Sequence, residues 1–92
     1  IPCGYVGLVF ARSGLACRQG LAPANKVGVI DSDYRGEWLI YLYNQASEPR
    51  VINPGDRVAQ LVLLPVLTPT VVEADSLDET DRGAGGFGTT GQ

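Results

Sequence analysis

An all-β barrel or jelly roll is the fold the sequence predicts, on three observations. Its β-forming runs are short and closely spaced, Gly and Pro punctuate them, and no segment carries a convincing helical period. The composition agrees: 92 residues, 45% hydrophobic and 18% charged, with 12 glycines and 6 prolines. That balance belongs to an ordinary globular domain rather than to a disordered or membrane class. A chain this short buries only roughly 60 to 65% of its unfolded surface, so association with further copies is a natural source of extra core.

The elements follow in order. Tyr5-Val6-Gly7-Leu8-Val9-Phe10 lies between Gly4 and the polar stretch "ARSG" and reads as a strand ending in a loop. One turn near Ser13 to Cys17 is the sole helix candidate. Val27-Gly28-Val29-Ile30 is a second strand, stopped by "DSDYRG". "EWLIYLYN", Glu37 to Asn44, is too short and too apolar on both faces for an amphipathic helix, so it predicts a strand buried on both sides. Pro54-Gly55 marks a turn, after which "RVAQLVLLPVL" predicts another strand, with Pro65 at an edge or a bulge. "TPTVVE" reads as a last, weak strand. Residues 1–73 thus form the expected barrel core, the acidic "ADSLDETD" of 74–81 a linker, and residues 82–92 a glycine-rich arm.

Charge and composition exclude several function classes. The longest apolar run, Val58 to Leu67, is interrupted by Gln60 and Pro65 and falls far below the ~20 residues of a membrane span. A net charge of −3 does not suit bulk nucleic-acid binding, which depends on a basic face that releases counterions. Two cysteines, Cys3 and Cys17, and no histidine supply neither a disulfide framework nor a zinc site, and point to reduced thiols in a cytoplasmic protein. The chain has no methionine and opens on Ile1, which predicts that a longer N-terminal part precedes it.

Four stretches carry chemistry. In "ARSGLA", Arg12 offers a forked cation, Ser13 a hydroxyl and Gly14 an accessible amide, a set able to grip a phosphate or simply to form a capped turn. In "NKVGVIDSDYRGE", Asp31 and Asp33 follow an apolar strand and precede Tyr34 and Arg35. Either carboxylate suits a general base acting on water, and solvated turn aspartates are the alternative. Gln60 breaks the apolar run after "NPGDR" and needs a backbone or ligand partner, while Asp56 and Arg57 pair with each other or cap the turn. The terminal "RGAGGFGTTG" lets amides approach a polyanion, with Arg82, Thr89 and Thr90 adding charge and hydroxyls, and Phe87 offering a ring that can stack on a base. It lacks the G-K-[ST] of a Walker A loop.

Taken together and in this order, "ARSGLA", "NKVGVIDSDYRGE", "NPGDRVAQLV" and "RGAGGFGTTG" resemble the second to fifth signature motifs of the trimeric deoxyuridine triphosphatases (dUTPases). The resemblance implies a jelly-roll homotrimer whose active sites are shared between subunits. It implies hydrolysis of dUTP to dUMP and pyrophosphate by water attack on the α-phosphorus, clearing dUTP and supplying dUMP for thymidylate synthesis. Mg²⁺ would be held mainly by the phosphates and water, with no protein metal ligand. By the same resemblance Asp31 orients and deprotonates the water, and Tyr34 lies against the sugar and excludes a ribose 2′-hydroxyl. Asn25 and the Val27-Gly28 backbone read the uracil edge. Arg12, Ser13, Gly14 and Gln60 grip the α- and β-phosphates; Arg82 and the Gly88, Thr89, Thr90 stretch close on the γ-phosphate; and Phe87 stacks on uracil. Three departures stand out: Ala11 replaces a frequent proline, Thr89 replaces a common serine, and the first motif, an A-G-x-D-L type, is expected upstream of Ile1. Two other readings remain. A dCTP deaminase of the same superfamily needs a carboxylate beside the base, for which Glu37 is the nearby candidate, and a regulatory protein that binds dUTP without turning it over needs only the pocket.

Overall fold

The computed structural model describes residues 1–88. Its elements are β1 (Tyr5–Phe10), α1 (Ser13–Gln19), β2 (Leu21–Pro23), β3 (Gly28–Ile30), β4 (Leu42–Asn44) and β5 (Gln60–Pro65). The all-β expectation is met, with α1 as one short helix among the described residues. β1 is the centre of a three-stranded antiparallel sheet in the order β3-β1-β5. Its register puts Val9 opposite Gly28 on one side and Leu61 on the other, and Phe10 opposite Gln60. A second sheet pairs β2 with β4, Leu21 facing Asn44 and Pro23 facing Leu42.

Local chemistry explains the joints. Tyr5 N–H donates to Pro2 O at 3.2 Å with Gly4 at φ 85°, a reverse turn whose third residue must be left-handed. Asp56 N–H donates to Asn53 O across Pro54-Gly55, with Gly55 at φ 88°, and the Asp56 carboxylate accepts from Asn53 N–H at 2.8 Å. Asp56 therefore caps its turn, one of the two roles expected for it. Helix α1 stops at Gly20, φ 75°, whose N–H returns to Ala16 O, and the Arg50 guanidinium donates to Gln19 O at 2.9 Å. Both bonds satisfy carbonyls that the end of a helix leaves open.

Several expectations are corrected. The Glu37 to Asn44 run forms a strand only over Leu42–Asn44, and it is not buried: Trp38, Leu39, Tyr41 and Tyr43 are all exposed. Residues 68–73 adopt no strand, and the strand expected over 57–67 is limited to Gln60–Pro65. Gln60 lies exposed rather than buried, and its side-chain amide donates to Ala11 O at 2.7 Å, a backbone partner. The helix runs two residues beyond Cys17. The physical reason is common to the first three: an apolar run becomes a buried strand only where a ladder partner and a covering layer exist.

The described chain supplies little cover. Val9, 7% exposed, and Leu21, 5% exposed, are its buried hydrophobic core. The radius of gyration is 19.0 Å, against about 12 Å for a compact chain of this length. Its accessible surface of 8073 Å² exceeds by about 3,000 Å² what a folded monomer of this mass shows. β5, apolar at Leu61, Val62, Leu63 and Leu64, is exposed along its whole length.

Candidate active site

Two cavities flank the C-terminal end of β1. The first, about 330 Å³, is lined on the β3 side by Gly28, Val29 and Ile30, then by Asn25, Asp31, Tyr34, Glu37 and Trp38, with Val9 and Pro23 beneath. The second, about 280 Å³, is lined by Arg12, Ser13, Gly14, Leu15 and Gln19 from α1 and its approach, with Arg57 and Gln60. Two residues, Phe10 and Ala11, connect Val9 in the first to Arg12 in the second.

The first cavity owes its shape to two tight turns. Lys26 N–H donates to Pro23 O, and Val27 N–H to Asn25 O at 2.8 Å, with Lys26 at φ 70° between the bonded residues. A non-glycine residue in that conformation carries strain, which the strands on either side hold in place. The Val27 side chain is exposed and does not line the cavity, whereas Gly28 does. Gly28 has no room to spare: an added Cβ would lie 3.3 Å from Val9 Cβ and 3.5 Å from Asn25 Nδ2. The second turn spans Asp31 to Glu37. Tyr34 N–H donates to Asp31 O at 3.1 Å, the Tyr34 hydroxyl donates to Glu37 O at 2.9 Å, and Arg35 Nη1 donates to Ser32 O at 2.8 Å and to Tyr34 O at 3.1 Å. Arg35 thus ties the loop while Asp31 and Tyr34 face the space. An aromatic, half-apolar cavity with two carboxylates at its edge is suited to a planar heterocycle with a hydroxylated appendage.

The second cavity has the opposite electrostatics. Its lining holds two guanidiniums, Arg12 and Arg57, and no carboxylate. Arg12 is the N-cap of α1, makes no side-chain capping bond, and gives its carbonyl to Ala16 N–H at 2.9 Å. The amides of Ser13, Gly14 and Leu15 precede that first intrahelical bond, so the helix does not use them. Free amides, a hydroxyl and two forked cations around one space make a receptor for a polyphosphate-sized anion.

Of the residues the sequence singles out, Asn25, Gly28, Asp31 and Tyr34 line the first cavity and Arg12, Ser13, Gly14 and Gln60 the second. Trp38, Arg57 and Gln19 also line them and were not singled out in the sequence. Arg57 was legible as a cation four residues after Asn53, but its neighbour Asp56 suggested an ion pair, and that carboxylate is engaged at Asn53 instead. Arg82 is in neither lining. Its Nε donates to Gly85 O at 2.6 Å, and Gly85 N–H donates back to Arg82 O, so it sits in a turn of its own making. Phe87 and Gly88 are exposed. Thr89 and Thr90 lie outside the described residues.

The dUTPase family model matches residues 1–91. Deoxyuridine 5′-triphosphate nucleotidohydrolase of Desulfitobacterium hafniense is 62% identical over 92 residues, covering 99% of this chain and 61% of the relative. The protein of that name from Syntrophotalea carbinolica is 52% identical over 91 residues, covering 99% and 62%. The chain therefore spans about three-fifths of the length of these relatives. Among solved structures, the Staphylococcus bacteriophage 80alpha dUTPase with dUpNHpp superposes with a TM-score of 0.83 at 28% identity, covering all of this chain and 70% of that one. A variant dUTPase of phage phi11 of S. aureus, described for its coordination of a structural Mg(II) ion, superposes with a TM-score of 0.70 at 29% identity, over 83% and 65%.

Proposed function

This chain belongs to the dUTPase family, and from that premise we propose that the complete protein hydrolyses dUTP to dUMP and pyrophosphate. The observation that carries the reading is the pair of cavities beside β1, one aromatic with carboxylates at its edge and one lined by cations without carboxylates. A nucleotide has the same two chemistries at its two ends.

In the proposed mechanism the uracil edge meets Asn25 and the backbone at Val27-Gly28, and Tyr34 stands against the deoxyribose. Arg12, Ser13, Gly14 and Gln60 receive the α- and β-phosphates, with Arg57 beside them. Asp31 accepts a proton from a water as its oxygen bonds to the α-phosphorus. The bond from the α-phosphorus to the bridging oxygen breaks, and pyrophosphate departs with that electron pair. Arg82, Gly88, Thr89 and Thr90 close on the γ-phosphate, and Phe87 covers the base. Phosphoryl transfer is mostly positioning and charge neutralisation, and these residues supply both.

Mg²⁺ beside the phosphates needs only one or two carboxylates, the rest of its shell being phosphate oxygens and water. When bound it neutralises charge on the phosphates.

Family membership supports a homotrimer whose sites are shared between subunits. Residues 1–73 act as barrel core, 74–81 as linker and 82–92 as the arm that closes. Among the described residues no helix is long and apolar enough to cross a membrane, and a cytoplasmic nucleotide pool is the setting the reading requires.

Pyrophosphate release from dUTP with Mg²⁺, measured on the full-length protein against Asp31→Asn, tests the function. Loss of a general base costs about 10²- to 10⁴-fold, and an Asn variant as fast as wild type refutes the proposal. Ammonia from dCTP with no pyrophosphate from dUTP would favour the deaminase reading instead.

A further inference from the structure

The Asp31 to Glu37 turn contains a glycine whose role lies outside the motif reading. Gly36 does not have a left-handed φ, so its backbone conformation is open to any residue. Space is what it provides. A Cβ built on Gly36 would meet the Tyr34 hydroxyl and would lie 2.9 Å from Tyr34 Cε1, a separation that real Cβ atoms essentially never show. The Tyr34 ring therefore folds back over Gly36, and its hydroxyl donates to Glu37 O at 2.9 Å. The ring is half exposed and lines the first cavity.

We propose that Gly36 is a positioning residue for Tyr34: the missing side chain lets the ring lie flat across its own turn, and that pose sets how closely the ring approaches the sugar. The inference rests on the dUTPase reading for the identity of the sugar, but not for the ring pose itself. Alanine at 36 forces the ring off the turn and breaks the hydroxyl bond to Glu37 O. A displaced ring leaves room for the 2′-hydroxyl of a ribonucleotide, and a contact of that size is worth about 10-fold or more in discrimination.

The test uses the full-length protein as wild type, Gly36→Ala, Tyr34→Ala and the double variant. The first readout is kcat/KM for dUTP and for UTP, from pyrophosphate release. In Gly36→Ala the preference for dUTP over UTP should fall about 10-fold, mainly through faster UTP turnover, and Gly36→Ala should add nothing in the Tyr34→Ala background. The second readout is the ring cross-peak of Tyr34 in ¹³C-tyrosine NMR, assigned by its loss in Tyr34→Phe, which should shift in Gly36→Ala. Unchanged discrimination, or additive effects in the double variant, overturns the inference. If wild type turns over neither nucleotide, the functional reading fails alone, and the cross-peak still decides: an unmoved peak overturns the role of Gly36. Should Gly36→Ala fail to fold, the double variant, which removes the clash, should fold; its failure also overturns the inference.

Discussion

Replacing Gly28 by alanine probes the floor of the first cavity and the core beneath it in one step. The new Cβ would sit 3.3 Å from Val9 Cβ and 3.8 Å from Val9 Cγ2. Val9 cannot retreat easily, because it is one of the two buried hydrophobic residues and is held in register between Gly28 and Leu61. Overpacking of this kind costs about 1 to 3 kcal/mol. The substitution also restricts the unfolded chain, which returns about 0.4 to 1 kcal/mol. The net expectation is a loss of about 1 kcal/mol, or about 2 to 4 °C in the melting temperature of the full-length protein. The same methyl group lies 3.5 Å from Asn25 Nδ2, so it displaces the group proposed to read the base and removes room from the cavity. A change of one methyl group in a fitted pocket alters binding by about 10- to 200-fold. Thermal melting gives the first number. Quenching of Trp38, which lines this cavity as the chain's only tryptophan, gives the second during titration with dUpNHpp. A variant that melts lower but binds dUpNHpp as tightly as wild type would refute the assignment of this cavity to the base.

Other expectations follow from neighbouring parts of the site. Gly20→Ala must place a left-handed φ on an L-residue and set a Cβ 2.9 Å from Ala46 N; the φ term alone costs about 1 to 2 kcal/mol, so its melting temperature should fall further than that of Gly28→Ala. Arg57→Gln removes one of two cations from the second cavity without changing a turn; pyrophosphate inhibition should weaken about 10- to 150-fold, reflecting a lost charge-assisted bond of about 1.5 to 3 kcal/mol, while affinity for deoxyuridine, which carries no phosphate, stays near wild type. Deleting residues 82–92 from the full-length protein should abolish most turnover and leave the oligomer unchanged by size-exclusion chromatography; full activity after truncation would contradict the closing arm.

The residues that line the two cavities were easier to read from the sequence than the limits of the strands, and the difference has a physical basis. Residues such as Arg12, Asp31 and Gln60 carry charge and hydrogen-bonding groups that their identity already declares, and turns near them are written in Pro54-Gly55 and in the residues around Asp31. β1 was equally clear, because a six-residue β-forming run with a partner on each side needs nothing beyond this chain. Glu37 to Tyr41 and residues 68–73 are just as rich in β-formers, but a strand is a relation between segments, and these find no ladder partner among the described residues. Their apolar side chains record a demand for burial without naming what answers it. Gln60 misled in a related way: its place in an apolar run predicted burial, although the strand carrying it is exposed throughout. Arg57 was obscured by a neighbour, since only coordinates reveal that Asp56 is spent on Asn53. Gly36 was invisible for a simpler reason, because a glycine needed for space reads in sequence like a glycine needed for a turn.

Isotopic tracing of the hydrolytic oxygen tests the central claim most directly. The full-length protein turns over dUTP with Mg²⁺ in H₂¹⁸O, and mass spectrometry follows the label into the products. Attack at the α-phosphorus by a water held at Asp31 predicts ¹⁸O in dUMP and none in pyrophosphate; label in pyrophosphate, or no turnover of dUTP at all, would contradict it.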